Sequence, residues 1–185
     1  ETQKISVIIP TLEEEEYIEP LLSRLKTVKP SVEIIVADGG SDDKTVVLAK
    51  KFTKKVFQTS KRGIAVGRNY GAKKASGDIL LFMDTDIRFT RGFVEKIQNA
   101  FDDPVVIGAT CNIMPLSGKP NEKVFFTVYN QLIRFTARFK PHSRGELLAV
   151  RKTAFESACG FDENMPCLED HDLANRIAKL GKFVF

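Results

Sequence analysis

At 185 residues, with 43% apolar and 28% charged side chains, the chain has the length and balance of one soluble globular domain. Its net charge of +4 suits an anionic ligand such as a nucleotide without implying nucleic acid. No apolar run approaches the roughly 20 residues that span a bilayer, and no signal peptide is visible. Cys111, Cys159 and Cys167 are odd in number and lack metal-ligand spacing, so they read as reduced thiols in a cytoplasmic setting.

Ile5 to Ile9 reads as a strand closed by Pro10. A helix is expected over Glu14 to Lys26, with Ile18, Leu21, Leu22 and Leu25 at core spacing and acidic residues in its first turn. Val32 to Ala37 is a second strand. It leads into the turn Asp38-Gly39-Gly40-Ser41 and a helix over Asp42 to Lys51, with Ser41 placed as its N-cap. Val56 and Phe57 mark a short third strand, Arg62 to Ser76 a helix ended by Gly77, and Ile79 to Met83 a fourth strand. Thr90 to Ala100 is helical, Val105 to Ile113 extended, and Leu168 to Leu180 helical again. Lys182 to Phe185 reads as a strand just beginning and the first residue is not Met, so a truncated chain is expected. This alternation, with near-continuous apolar strands, predicts one α/β, Rossmann-like domain with a mostly parallel central sheet flanked by helices.

Chemistry concentrates at the expected strand tips. Asp84-Thr85-Asp86 follows the apolar run Ile79 to Met83, and alternation puts both carboxylates on one side. Two like charges so close repel unless a cation sits between them, and a hard divalent metal can bridge carboxylates to a diphosphate. A chance surface turn gives the same pattern, so the neighbouring residues decide. Ligands of open α/β sheets bind at the carboxyl ends of the strands, where the turn Pro10-Thr11-Leu12-Glu13-Glu14 and the carboxylate of Asp38 are also expected. Neither GxGxxG nor GxxxxGK[ST] occurs, which counts against dinucleotide oxidoreductases and P-loop NTPases. A second acidic pair, Glu169-Asp170, opens the last helix, where the dipole favours ionised carboxylates; plain decoration of a helix start is the other reading.

Several segments occur in a telling order: SVIIPT (6–11), VADGGSD (36–42), GIAVGRNYG (63–71), ASGD (75–78) and DTD (84–86). Together they resemble the nucleotide-binding half of the family 2 glycosyltransferases, which adopt the GT-A fold. Farther on, GFDE (160–163), MPCLED (165–170) and EDHDL (169–173) are similar to that family's acceptor-side motifs. The resemblance implies a metal-dependent, inverting transfer of a sugar from a nucleotide donor to an acceptor hydroxyl. Residues 1–100 would form the donor half and 101–185 the acceptor half of one catalytic domain.

Residue by residue, it implies that Pro10, Thr11 and Glu14 floor the nucleotide pocket, Asp38 recognises the base and Arg62 places a cation near the nucleotide. Asp84 would touch the ribose or the metal, Asp86 would be the main ligand of Mn²⁺ or Mg²⁺, and Asp170 would be the general base, with Glu169 orienting the acceptor. Leu12, Glu13 and Gly39 depart from the family's usual residues at places that bear on the base, leaving UDP favoured over GDP. Arg68 and Asn69 match an Arg-Asn pair for which a helix-to-loop hydrogen-bonding role is equally open. A nucleotidyltransferase would want a basic glycine-rich loop after the first strand, and a catalytically silent nucleotide-sugar-binding module would not need Asp84, Asp86 and Asp170 intact.

Over Asn121 to Lys140, the residues Val124, Phe125, Val128, Tyr129, Leu132, Phe135 and Phe139 follow helical spacing, which predicts a helix covering the core. Phe126 and Ile133 are then surplus. They are candidates for contact with a membrane surface, a lipid-linked acceptor or a second subunit, at the cytoplasmic membrane face. His142 and Arg144, in the following loop, are expected to border the acceptor.

Overall fold

A computed structural model describes residues 3–115, 117, 119–137 and 146–185. The elements, in chain order, are β1 (Ile5–Thr11), α1 (Ile18–Lys26), β2 (Glu33–Asp38), α2 (Thr45–Lys50), β3 (Val56–Gln58), α3 (Ile64–Lys74), β4 (Ile79–Met83) and α4 (Phe93–Ala100). Then come β5 (Val106–Ala109), α5 (Pro120–Thr136), β6 (Leu147–Arg151), α6 (Lys152–Ser157), α7 (Glu169–Ile177) and β7 (Lys182–Val184). Among the described residues the strands form one seven-stranded sheet in the order β3-β2-β1-β4-β6-β5-β7. All its pairings are parallel except those of β6, which runs against both β4 and β5.

Strand alternation divides the core into two layers. Ile5, Val7 and Ile9 of β1 and Ile79, Leu81 and Met83 of β4 face α1, α2 and α4. Ile8, Leu80 and Phe82 face α3, α6 and α7 on the other side. Each layer buries a full apolar set, and this explains why β4 reads as an unbroken hydrophobic run. The four core positions expected of α1 are all buried.

Helix α3 packs so close to the sheet that a Cβ on Gly71 would clash with Ile8 Cγ2. At the opposite edge from the strand tips, Glu33 ties three segments together. It accepts from Lys55 Nζ at 2.5 Å, from the Ser6 hydroxyl, and from the Ser76 backbone N–H at 2.8 Å. Burial works against the charge of Glu33, but these donors outweigh it and hold its pKa down at about 2.

Several expectations need correction. Pro10 does not close β1; the strand runs on to Thr11 along β2, while pairing with β4 ends at Ile8. Helix α1 starts at Ile18 and α2 at Thr45, later than the sequence pattern suggests. Ser41 is no N-cap: its hydroxyl donates to Asp38 and accepts from the Glu13 N–H. β6 and α6 were not anticipated.

Tyr129 apart, helix α5 presents the reverse of the expected face. Val124, Phe125, Val128, Leu132 and Phe135 are all 57–64% exposed, whereas Phe126, Tyr129 and Ile133 are half-buried. Amphipathic spacing defines two faces without saying which one meets the protein. Asn130 settles it here, through a reciprocal pair of hydrogen bonds with the backbone of Ile113.

Candidate active site

The tips of β2, β1 and β4 lie side by side at the carboxyl edge of the sheet, and a cavity of about 440 Å³ opens above them. Pro10, Thr11 and Glu14 from the first turn line it, together with Asp84, Thr85 and Asp86 from the end of β4. Leu12, Tyr17, Ala37, Gly39, Gly63, Ile64 and Gly67 complete its walls.

The first two turns hold each other. Backbone N–H groups of Glu13, Glu14 and Glu15 donate in succession to the side chains of Ser41, Thr45 and Asp43, at 2.8–3.0 Å. Glu13 takes a left-handed backbone, φ 58°, to make this possible. The carboxylate of Asp38 lies wholly buried beneath, accepting from the Thr11 and Ser41 hydroxyls and from the N–H groups of Gly40 and Ser41. Its acceptor capacity is used within the protein. Asp38, expected to contact a base, does not line the cavity in this structure; the wall at this strand tip is Ala37 and Gly39. Arg62, also expected near the nucleotide, is exposed and reaches the Gly40 carbonyl at 3.4 Å.

Asp84 is half-buried and Asp86 exposed, on either side of the buried Thr85. Burial raises the pKa of Asp84; Arg68 opposes the shift, and the charges of Asp86 and Glu146 add to it. A carboxylate crowded by other acids at the rim of an anion-sized cavity suits a hard divalent cation. Among the described residues no cluster of three or more His, Cys, Asp or Glu side chains forms a complete metal shell. Asp84 and Asp86 are the residues at this cavity that could hold such a cation, as two ligands of an incomplete set.

The acceptor-side acids come from α7. Leu168 precedes them in a left-handed conformation, φ 64°, which turns the chain sharply into the helix. Glu169 and Asp170 are 7% and 6% exposed, and Asp170 Oδ2 is buried with no hydrogen-bond partner among the described residues. Arg68 of α3 connects the two acidic sites: Nη2 donates to Asp84 Oδ1 at 3.0 Å and Nη1 to Glu169 Oε1 at 2.9 Å. Its neighbour Asn69 locks the loop before α7 by bonding the Phe161 backbone and the Glu163 carboxylate, all at 2.9 Å.

Pro10, Thr11, Glu14, Asp84 and Asp86 thus share one cavity, and Glu169 joins them through a single guanidinium. His142 and Arg144, with Arg138 and Lys140, lie outside the described residues. The bridging role of Arg68 was not read from the sequence, although a signal existed. Ala65, Arg68 and Ala72 fall at helical spacing on the buried face of α3, where an arginine needs carboxylate partners.

The family model described as Glycosyl transferase family 2 matches residues 6–160. A dolichol-phosphate mannosyltransferase of Pyrococcus furiosus is 34% identical over 104 residues, which are 52% of this chain and 30% of that protein. A pre-mycofactocin glycosyltransferase of Mycobacterium tuberculosis is 27% identical over 172 residues, 86% of this chain and 37% of its own. The chain spans about a third of the length of these curated relatives. Among solved structures, the mannosyltransferase PcManGT of Pyrobaculum calidifontis, in complex with GDP-Man and Mn²⁺, superimposes with a TM-score of 0.84. It is 22% identical, over the whole of this chain and 55% of that one. TarS 1–349 of S. aureus in complex with UDP-GlcNAc gives 0.77 at 21% identity, over 98% of this chain and 55% of the other. At these identities the likeness shows a shared fold.

Proposed function

Because the chain belongs to glycosyl transferase family 2, we propose that it carries out inverting transfer of a sugar from a nucleoside diphosphate sugar to an acceptor hydroxyl. The observation that carries this reading is the convergence of Pro10, Thr11, Glu14, Asp84 and Asp86 on one cavity, with Glu169, the chain neighbour of Asp170, tied to Asp84 through Arg68.

Leu12, Tyr17 and Ile64 offer the apolar contacts and Gly39 the close backbone approach that a nucleoside needs. Asp38 serves by holding the two turns in place. Asp84 and Asp86 would hold a divalent cation, Mn²⁺ or Mg²⁺, which supplies Lewis-acid stabilisation of the charge growing on the departing diphosphate. In the transfer, the acceptor oxygen forms a bond to the anomeric carbon as the bond to the diphosphate oxygen breaks. Asp170 takes the acceptor's proton on Oδ2, an oxygen with no competing hydrogen-bond partner among the described residues. Glu169, pinned by Arg68, fixes the backbone and orientation from which Asp170 acts.

The outward stripe of Val124, Phe125, Val128, Leu132 and Phe135 on α5 supports an acceptor presented at a lipid surface, with Lys123 and Arg134 on the flank toward anionic headgroups. No described helix is long and apolar enough to cross a membrane. Calorimetric titration with UDP- and GDP-sugars, in Mn²⁺ and again in EDTA, tests the donor assignment. Saturable binding of one base series that weakens at least tenfold in EDTA is expected; no binding of either series would overturn it.

A further inference from the structure

The donor-side and acceptor-side acids share one buried cation. Arg68 is 1% exposed, lies over the Phe161 ring at 5.4 Å, and spans from Asp84 at the end of β4 to Glu169 at the start of α7. The two carboxylates are 85 positions apart in sequence (169 − 84), yet each sits on a different nitrogen of the same planar fork. Such a fork matches two carboxylates with fixed geometry, which a lysine ammonium cannot do. Gly67 and Gly71 let α3 approach β1 closely, so that the Arg68 side chain enters the gap between the sheet edge and α7. The gap is further closed by Asn69, whose amide carbonyl would meet a Cβ on Gly160 at 2.7 Å.

We infer that Arg68 is a positioning residue that couples occupancy of the donor side to the alignment of the acceptor-side acids. This inference rests on the donor-site reading above. The physical basis is that one positive charge is divided between two carboxylates. A cation arriving at Asp84 and Asp86 competes with Arg68 for Asp84, and the guanidinium then leans on Glu169. Conversely, whatever draws Glu169 away leaves more of the Arg68 charge on Asp84 and opposes the cation. Linkage requires the two effects to be equal in binding free energy. Donor loading would in this way tighten the hold on Glu169, and through the adjoining peptide on Asp170, before an acceptor arrives.

The test is a double-mutant cycle read by calorimetry rather than by turnover. Mn²⁺ with UDP, and Mn²⁺ with GDP, are titrated into the wild type, Glu169→Gln, Arg68→Met and the double variant, with matching titrations in EDTA. Glu169→Gln touches neither the cavity lining nor either aspartate. It is expected to weaken Mn²⁺-dependent nucleotide binding about 3- to 10-fold, leaving binding in EDTA unchanged. In the Arg68→Met background the same change should have less than a twofold effect. Arg68→Met by itself should tighten Mn²⁺-dependent binding, since it removes a positive charge beside the cation, whereas a merely structural arginine would predict the opposite. If Arg68→Met does not fold, Arg68→Lys takes its place, and the Glu169→Gln effect should fall below twofold there too. Wild-type binding that is unaltered by Glu169→Gln would overturn the coupling alone. An equal effect of Glu169→Gln with and without Arg68 would assign it to through-space charge and also overturn the role of Arg68. Failure of the wild type to bind either nucleotide would overturn the donor-site reading, and the coupling with it.

Discussion

Thr85 donates its hydroxyl to the Glu14 carboxylate at 2.7 Å, across 71 positions of chain. The bond pins the middle residue of the Asp84-Thr85-Asp86 segment to the turn after β1. Thr85 is thereby buried, while the two aspartates emerge around it, Asp84 toward Arg68 and Asp86 toward solvent. A segment anchored at its centre presents both carboxylates with little freedom to separate. That pre-organisation is what a cation shared with a diphosphate requires.

Asp86→Ala should remove the Mn²⁺-linked gain in nucleotide affinity while sparing the fold. Asp86 is exposed, so its loss strands no buried partner. Calorimetry with and without EDTA, beside a thermal melt, separates the two effects. A variant that still responds to Mn²⁺ as the wild type does would remove Asp86 from cation binding.

Asp170→Asn should lower turnover about 10²–10⁴-fold, the usual worth of a general base. Nucleotide affinity should change less than threefold, because Asp170 lies on α7 and not in the donor cavity. Near-full turnover in the variant would exclude Asp170 and pass the role to Glu169.

Glu33 gives a pH prediction with a definite sign. Its folded pKa of about 2 lies below the ordinary 4.5, so its contribution to stability is present above pH 4.5 and disappears as pH falls through about 2. The displacement corresponds to an upper figure of about 3 kcal/mol. Lys55 is itself partly in solvent, so about 1–2 kcal/mol is expected. Denaturant melts of Glu33→Gln against the wild type should differ by that amount at pH 7 and converge near pH 2. A constant difference across the range would show that the loss is one of packing.

Gly71→Ala should destabilise the domain by about 1–3 kcal/mol, since the added methyl clashes with Ile8 Cγ2 and presses α3 away from the sheet. The same shift would move Arg68. An unchanged melting temperature would mean that Ile8 can rotate away without cost.

The α5 stripe predicts salt-sensitive co-sedimentation with anionic vesicles. Val128→Ser combined with Leu132→Ser should reduce it about tenfold or more, because two exposed apolar anchors are lost. A wild-type chain that stays in the supernatant at low salt would sink the lipid-surface reading.

What could be read in advance follows from burial. β4 was legible to the residue because both of its faces are covered, so all five side chains are apolar. The four core positions of α1 were legible for the same reason. Its start was not: Glu13 to Glu15 spend their N–H groups on Ser41, Thr45 and Asp43, a tertiary exchange between two turns that no local pattern encodes. β6 is a short apolar run antiparallel to its neighbours, and periodicity cannot tell such a run from a helix segment. Within the site, the acids at strand and helix ends were visible as residue types. The arginine that joins two of them was not, because its partners lie 16 and 101 positions away.

β4 holds the aspartates at its tip, and β6 covers the edge of it that β1 leaves open. A polypeptide ending near residue 100 would include β1 to β4 and nearly all of the donor cavity, but it would leave that edge bare, apolar on both faces and unpaired. Exposed strands of this kind recruit one another. The first hundred residues therefore carry the cavity lining without being autonomous. During synthesis the ribosome must release the chain at least through Arg151 before the central strand is sheltered, and chaperone demand should peak in that interval.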